Sequence, residues 1–195
     1  EFKSGHVVYN KTVPIEYNDE ILDYVKSHIP EAAVLTYDDG EIITENPEEQ
    51  YVQLESRVVK MPVRKVENLK AEVDFPVNKF LVTGAPERLE KAVKEMAEHF
   101  AGRLNVFQSE PFFIEVVSLG IDKAQSLDYL LKQLGLHREE LVACGDGGND
   151  ITMVRYAGMG VAMANAHNEV KEAADYVTSS CDENGVALAI QKFFH

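Results

Sequence analysis

Between Lys123 and Phe194 short apolar runs alternate with amphipathic segments, and almost no residues are left over for loops. The pattern predicts helix 123–134, strand 141–144, helix 150–157, strand 160–163, helix 168–174, strand 176–178 and helix 183–194. Strands separated by helices and short turns pair in parallel, and the helices cover the sheet. An α/β fold with a Rossmann-like parallel sheet is therefore expected from residue 117 onward. The first of these helices carries its own start and stop signals. Asp122 precedes it with Gln125 three residues on, in the manner of a capping box, and Gly135 ends it. Leu127, Leu130, Leu131 and Leu134 fall on one face, which predicts that this face is buried.

The earlier part of the chain has longer connections and a different texture. His6–Tyr9 is a strand candidate, and Asn18 is placed to cap a helix with Ile21, Leu22 and Val25 on its apolar face. Segments 32–37 and 41–44 flank Asp38-Asp39-Gly40 and predict a hairpin. Asn46-Pro47 reads as a cap and first-turn proline, while Val58–Asp74 reads as an interrupted loop or short helix. Strand 79–83, a helix with Leu89, Val93, Met96 and Phe100 on one face, and strands 104–107 and 112–117 complete the region. The change in texture places a boundary near Val117–Gly120, dividing residues 10–116 from residues 117–195.

Composition excludes several classes of function. Against 33 Asp and Glu there are 19 Lys and Arg, a formal charge of −14, and no basic block offers a local exception. A nucleic-acid partner is excluded on that ground. An anionic substrate would need a local cation or a metal to enter such a field. No apolar run reaches membrane length and no signal-like start is present, so a cytoplasmic protein without a membrane partner is expected. Cys144 and Cys181 fit small hydrophobes in a reducing compartment, with a disulfide left open. The first residue is Glu1 rather than Met, so the numbering is expected to start inside a longer gene product.

The chemistry concentrates in Cys144-Gly-Asp-Gly-Gly-Asn-Asp150. A turn uses about one glycine and one Asx residue, and this stretch holds more of both. It also follows a predicted parallel strand, at the end where open α/β sheets bind ligands. Asp146, Asp150 and the Asn149 amide would form an all-oxygen set suited to Mg²⁺ and shared with a substrate phosphate. The plainer alternative is that Asp146 caps a turn and Asp150 caps a helix, with nothing bound. Lys123 falls in the first turn of its helix, the unfavourable end of the dipole for a cation. A bound phosphate would resolve that conflict, because the amine and the helix N–H groups could address the same anion. Gly158-Met-Gly-Val-Ala-Met-Ala-Asn-Ala lacks a full dinucleotide fingerprint. Its Asn165 is placed to orient a phosphate or a neighbouring side chain, or else is a plain turn residue.

Taken together these segments resemble the haloacid-dehalogenase (HAD) superfamily of phosphohydrolases, in its Cof-like sugar-phosphatase branch. Gly120-Ile-Asp-Lys123 resembles the family's lysine motif. Gly145, Asp146, Asn149, Asp150 and Met153 match its Gly-Asp-x-x-Asn-Asp-x-x-Met motif, and GMGVAMANA and SSCDENGVALAI follow its carboxyl-terminal run. KFLVTG and SEPFFIEVV are similar, more loosely, to the family's α/β cap. The resemblance implies a remnant of the core in residues 1–9, a cap in 10–116 and the carboxyl-terminal part of a HAD-like core in 117–195. It also implies Mg²⁺ held by Asp146, Asp150 and Asn149, with phosphate contacts from Lys123, Asn149 and Asn165. Substrate would be a small phosphorylated metabolite. Departures include Asp122 where serine is usual, Ala124 and Ala164 where glycine is common, and Cys181 where asparagine is frequent.

The larger departure is that no Asp-x-Asp-Gly-Thr occurs among the 195 residues. In the family that strand supplies the nucleophile, which forms an aspartyl-phosphate, and the acid/base carboxylate. Asp38-Asp39-Gly40 lacks both the spacing and the threonine. The expectation is a chain without its amino-terminal core segment, inactive by itself, with self-association at the sheet edge left open. Two alternatives stand beside it: a catalytically dead α/β binding or regulatory module, and a phosphomutase or phosphotransferase on the same scaffold. Glu110, Phe112 and Lys79 are candidates to face the leaving group.

Overall fold

The computed structural model describes residue 7 and residues 9–194. It divides into two compact units, Glu1–Leu119 and Gly120–His195. The strand candidate at His6–Tyr9 includes His6 and Val8, which lie outside the described residues, and Val7 and Tyr9 are in irregular backbone.

In the first unit α1 (Asn18–His28) is followed by β1 (Ala33–Asp38) and β2 (Glu41–Thr44). Asn18 does not cap α1. It is buried, and its amide donates to the carbonyls of Val73 and Phe75, tying the helix start to a distant loop. The hairpin turns through Asp39 and Gly40, both at positive φ (42° and 83°), as a two-residue turn with right-handed strands requires. Next come α2 (Gln50–Val59), β3 (Val63–Lys65), α3 (Leu69–Glu72), β4 (Lys79–Thr83), α4 (Pro86–His99), β5 (Leu104–Glu110) and β6 (Phe113–Ser118). Asn46-Pro47 precedes α2 without capping it. Glu49 is the cap, its carboxylate accepting from the N–H groups of Tyr51 and Val52 at 2.9 Å each.

These strands form one six-stranded sheet in the order β3-β2-β1-β4-β6-β5. All pairings are antiparallel except β2 with β3, which a crossover through α2 makes parallel. β3 lies inside the segment expected to be loop or short helix; three residues are too few for alternation to register. One face of the sheet packs Phe80, Val82, Ile114 and Val116 against Ile21, Leu89, Met96 and Phe100. The other face packs Leu35, Ile42 and Leu81 against Val52. β6 continues through Ser118, so Val117 belongs to this antiparallel sheet rather than to the parallel region that follows.

The second unit contains α5 (Lys123–Leu134), β7 (Val142–Gly145), α6 (Ile151–Tyr156), β8 (Met159–Ala162), α7 (Asn168–Ala173), β9 (Tyr176–Val177) and α8 (Gly185–Phe193). β7, β8 and β9 form a parallel three-stranded sheet in that order. The Gly-x-Gly of Gly158 and Gly160 is a packing device. A Cβ on Gly160 would lie 2.2 Å from the Val154 carbonyl of α6, and one on Gly158 would lie 2.6 Å from the Glu139 backbone. The predicted face of α5 is only partly buried: Leu131 is, whereas Leu130 and Leu134 are 42% and 60% exposed. Among the described residues no helix is long and apolar enough to cross a membrane.

Candidate active site

Asp146 follows β7 directly, at the carboxyl end of a parallel strand. The chain then turns through Gly147 and a 3-10 turn (Gly148–Asp150) before α6 begins. Asp150 stands at the helix start but does not cap it forward. Its buried carboxylate reaches back, and Oδ2 accepts from the N–H of Asp146 (2.9 Å) and of Gly147 (3.1 Å). Gly145 is what allows this fold-back, since a Cβ there would lie 2.5 Å from the Asp150 Cβ. The other oxygen of Asp150 accepts from the Lys123 amine. Burial pushes the Asp150 pKa up, but the Lys123 hydrogen bond and the two backbone donors outweigh it and hold the carboxyl below its ordinary value.

Lys123 is the first residue of α5, and Asp122 caps that helix by accepting from the Gln125 N–H at 2.8 Å. The conflict between a lysine and the positive end of a helix dipole is relieved here by Asp150, 27 residues away in sequence. A second link keeps α5 beside α6: the Tyr156 hydroxyl donates to Asp128 Oδ1 at 2.8 Å. Neither Tyr156 nor Asp128 stands out in the sequence. Their pairing spans two helices and leaves no local pattern.

Asp146 is exposed, and its Oδ2 accepts from the Asn165 amide at 3.0 Å. Asn165 lies in the loop after β8, and its Oδ1 accepts from the Cys181 N–H at 3.0 Å. Asn149 is exposed in the 3-10 turn, its amide oxygen 2.9 Å from where a Cβ on Gly147 would stand. Lys123, Asp146, Asp150, Asn149 and Asn165 thus all belong to the second unit. Hydrogen bonds join Lys123 to Asp150, Asp150 to the Asp146 backbone, and Asp146 to Asn165. Cys144 and Cys181 are free thiols, and burial raises the pKa of Cys144.

The donor set fits a hard cation, with unequal parts. Asp150 already meets three donors, whereas the second oxygen of Asp146 receives no hydrogen bond from the described residues. Among those residues no three His, Cys, Asp or Glu side chains cluster into a metal cage. A one- or two-carboxylate anchor is what Mg²⁺ uses when waters and phosphate fill its remaining positions. The leaving-group candidates lie in the first unit. Lys79 pairs with Glu115 at 3.4 Å, Phe112 stacks on Tyr51, and Glu110 is exposed at the end of β5.

Comparison with known proteins gives a consistent assignment. The family model of haloacid dehalogenase-like hydrolases matches residues 1–190. Phosphatase YwpJ of Bacillus subtilis is 34% identical over 190 residues, covering 96% of this chain and 62% of that protein. A solved haloacid dehalogenase-like hydrolase from Bacteroides thetaiotaomicron superposes with a TM-score of 0.90 at 42% identity, over 99% of this chain and 72% of the other. The structure of the HAD subclass IIB sugar phosphatase BT4131 gives a TM-score of 0.77 at 25% identity, over 97% and 70% of the two chains. The chain spans about half the length of the curated relatives it matches.

Proposed function

We propose, for a chain that belongs to the haloacid dehalogenase-like hydrolase family, that it forms part of a Mg²⁺-dependent phosphomonoesterase acting on a sugar phosphate or similar small metabolite. The observation that carries this reading is the Lys123–Asp150 contact beside Asp146 at the end of β7. It puts one cation and two carboxylates around the carboxyl edge of a parallel sheet, in a protein whose formal charge is otherwise −14. The sugar-phosphate class rests on the likeness to BT4131.

In this reading Asp146 holds Mg²⁺, with Asn149 as its neighbour in the turn. The ion supplies charge neutralisation and orientation of the phosphoryl oxygens. Lys123 carries part of the same negative charge, and a fixed amine in a preorganised site needs no reorganisation as that charge develops. Asp150 fixes the amine and, through its two backbone contacts, the direction of the Asp146 loop. The attacking carboxylate comes from an Asp-x-Asp-Gly-Thr strand that these 195 residues do not contain. It attacks phosphorus as the ester P–O bond breaks, and the second aspartate of that strand gives its proton to the leaving oxygen; the same carboxylate then takes a proton from the water that attacks the acyl phosphate and releases inorganic phosphate.

The test compares these 195 residues with a longer chain that also carries such a strand. Both are assayed on p-nitrophenyl phosphate and a panel of sugar phosphates, with and without Mg²⁺. Background turnover by the short chain and Mg²⁺-dependent turnover by the long one are expected. Robust Mg²⁺-dependent turnover by the short chain, lost on Asp146→Asn, would overturn the assignment of the nucleophile.

A further inference from the structure

We infer that Asn165 is a positioning residue, a bracket that sets the orientation of the Asp146 carboxylate by tying it to the backbone of the loop after β9. The inference rests on the reading of Asp146 as the metal-holding group and adds the part that aims it.

The geometry is directional. The Cys181 N–H can only donate, so the atom of the Asn165 amide facing it is the oxygen, at 3.0 Å. That fixes the amide's orientation and turns its NH₂ toward Asp146 Oδ2, also at 3.0 Å. An asparagine serving only a turn would bond the backbone of its own loop, a residue or two away. Asn165 instead reaches 19 residues back and 16 residues forward in sequence.

Two backbone bonds support the same arrangement. His167 N–H donates to the Asp146 carbonyl at 3.1 Å, and Ala164 N–H donates to the Ser179 carbonyl at 3.3 Å. The loops that follow β7, β8 and β9 are therefore laced together on both sides of Asn165. An exposed aspartate on a glycine-rich turn has several accessible rotamers, and the amide selects among them. It occupies one carboxylate oxygen and leaves the other without a protein donor among the described residues. Outer hydrogen-bond partners of ligating side chains act in this way, and their loss costs about 10–100-fold in metal affinity.

The experiment uses the 195-residue chain and Mn²⁺ as the probe, with binding read by electron paramagnetic resonance and the Cys181 amide read by hydrogen exchange. Asn165→Ala should weaken Mn²⁺ binding about 10–100-fold and speed exchange at Cys181. Asn165→Asp keeps an acceptor for Cys181 but loses the donor to Asp146. It should therefore weaken Mn²⁺ binding while Cys181 stays protected. Asp146→Asn should abolish binding and also leave Cys181 protected. If Asp146→Asn abolishes binding and Asn165→Ala does not weaken it, the bracket fails and the metal reading stands. Tighter binding by Asn165→Asp would make position 165 a direct ligand and overturn the positioning role. If Asp146→Asn binds as the unsubstituted chain does, or the chain shows no saturable Mn²⁺ binding, both readings fall.

Discussion

The two units put their large apolar side chains in opposite places. Every one of the largest fully buried side chains, Phe80, Phe100, Ile21 and Leu35 among them, lies between Val13 and Ile114. In the second unit the buried apolar residues are mostly alanine and valine, while Leu130, Leu134, Leu136, Val177, Val186, Leu188, Ile190 and Phe194 are 40–60% exposed. The first unit is held by burial of big side chains on both faces of a sheet. The second is held by close backbone approach at Gly158, Gly160 and Gly185, and by backbone hydrogen bonds among the loops at the strand ends. Stability and chemistry are thus assigned to different residues, and that separation can be attacked from either side.

The largest expected effect is in the first unit. Phe80→Ala removes a side chain with no exposed surface and should cost about 3–5 kcal/mol, read from the urea midpoint. A loss below about 1 kcal/mol would mean that the sheet does not carry the stability assigned to it. In the second unit the corresponding blow is kinetic. In a chain carrying the nucleophile strand, Lys123→Ala should lower turnover by about 10²–10³, with a stability loss of no more than about 1–3 kcal/mol from the Asp150 carboxylate left without its amine. Loss of folding instead would make the Lys123–Asp150 pair a structural tie between α5 and the loop after β7.

A polar contact in the first unit comes next. The Tyr37 hydroxyl donates to Glu55 Oε1 at 2.5 Å, and Glu55 is buried. Tyr37→Phe leaves that carboxylate without its donor and should cost about 1–3 kcal/mol. The same contact sets a pH dependence. Burial first, and the Glu55 bond second, raise the Tyr37 pKa above its ordinary value of 10.0. A raised folded-state pKa means that the contribution is fully present below about pH 10 and declines as pH rises beyond it. Absorbance at 295 nm should show a late-ionising tyrosine, absent from Tyr37→Phe, that titrates only as the protein unfolds in alkali. Its titration alongside the exposed tyrosines would remove the buried pair from the account.

How much of this was legible in the sequence depended on the range of the signal. The second unit's rhythm and the Gly145–Asp150 motif are local, and they located the parallel strands and the loop at their carboxyl end. Helix caps depend on contacts that composition reports only in part. Glu49 caps α2 where Asn46-Pro47 had the expected composition, and Asn18 serves a distant loop. β3 leaves no local pattern, because its pairing with β2 is established only in three dimensions. The direction of Asp150, reaching back to Asp146 and Gly147 rather than forward along α6, is likewise a tertiary fact, as are the Asn165–Cys181 and Tyr156–Asp128 bonds. Leu130 and Leu134 carry the right period for a buried face, and periodicity does not report what lies against it.

Those exposed leucines give the smallest effect on stability. Leu134→Ser should change it by no more than about 0.5 kcal/mol, as surface substitutions do. A stability loss comparable to Phe80→Ala would erase the contrast between the two units.

The central claim is that Asp146 serves chemistry and not folding. Its most direct test is Asp146→Asn in a chain carrying the nucleophile strand, assayed at saturating Mg²⁺ beside a thermal melt. Turnover should be abolished while the melting temperature is unchanged or slightly higher, since an exposed carboxylate near Asp150 is removed. Retention of most of the activity, or loss of activity only through unfolding, would contradict it and leave Asp146 as the cap of a turn.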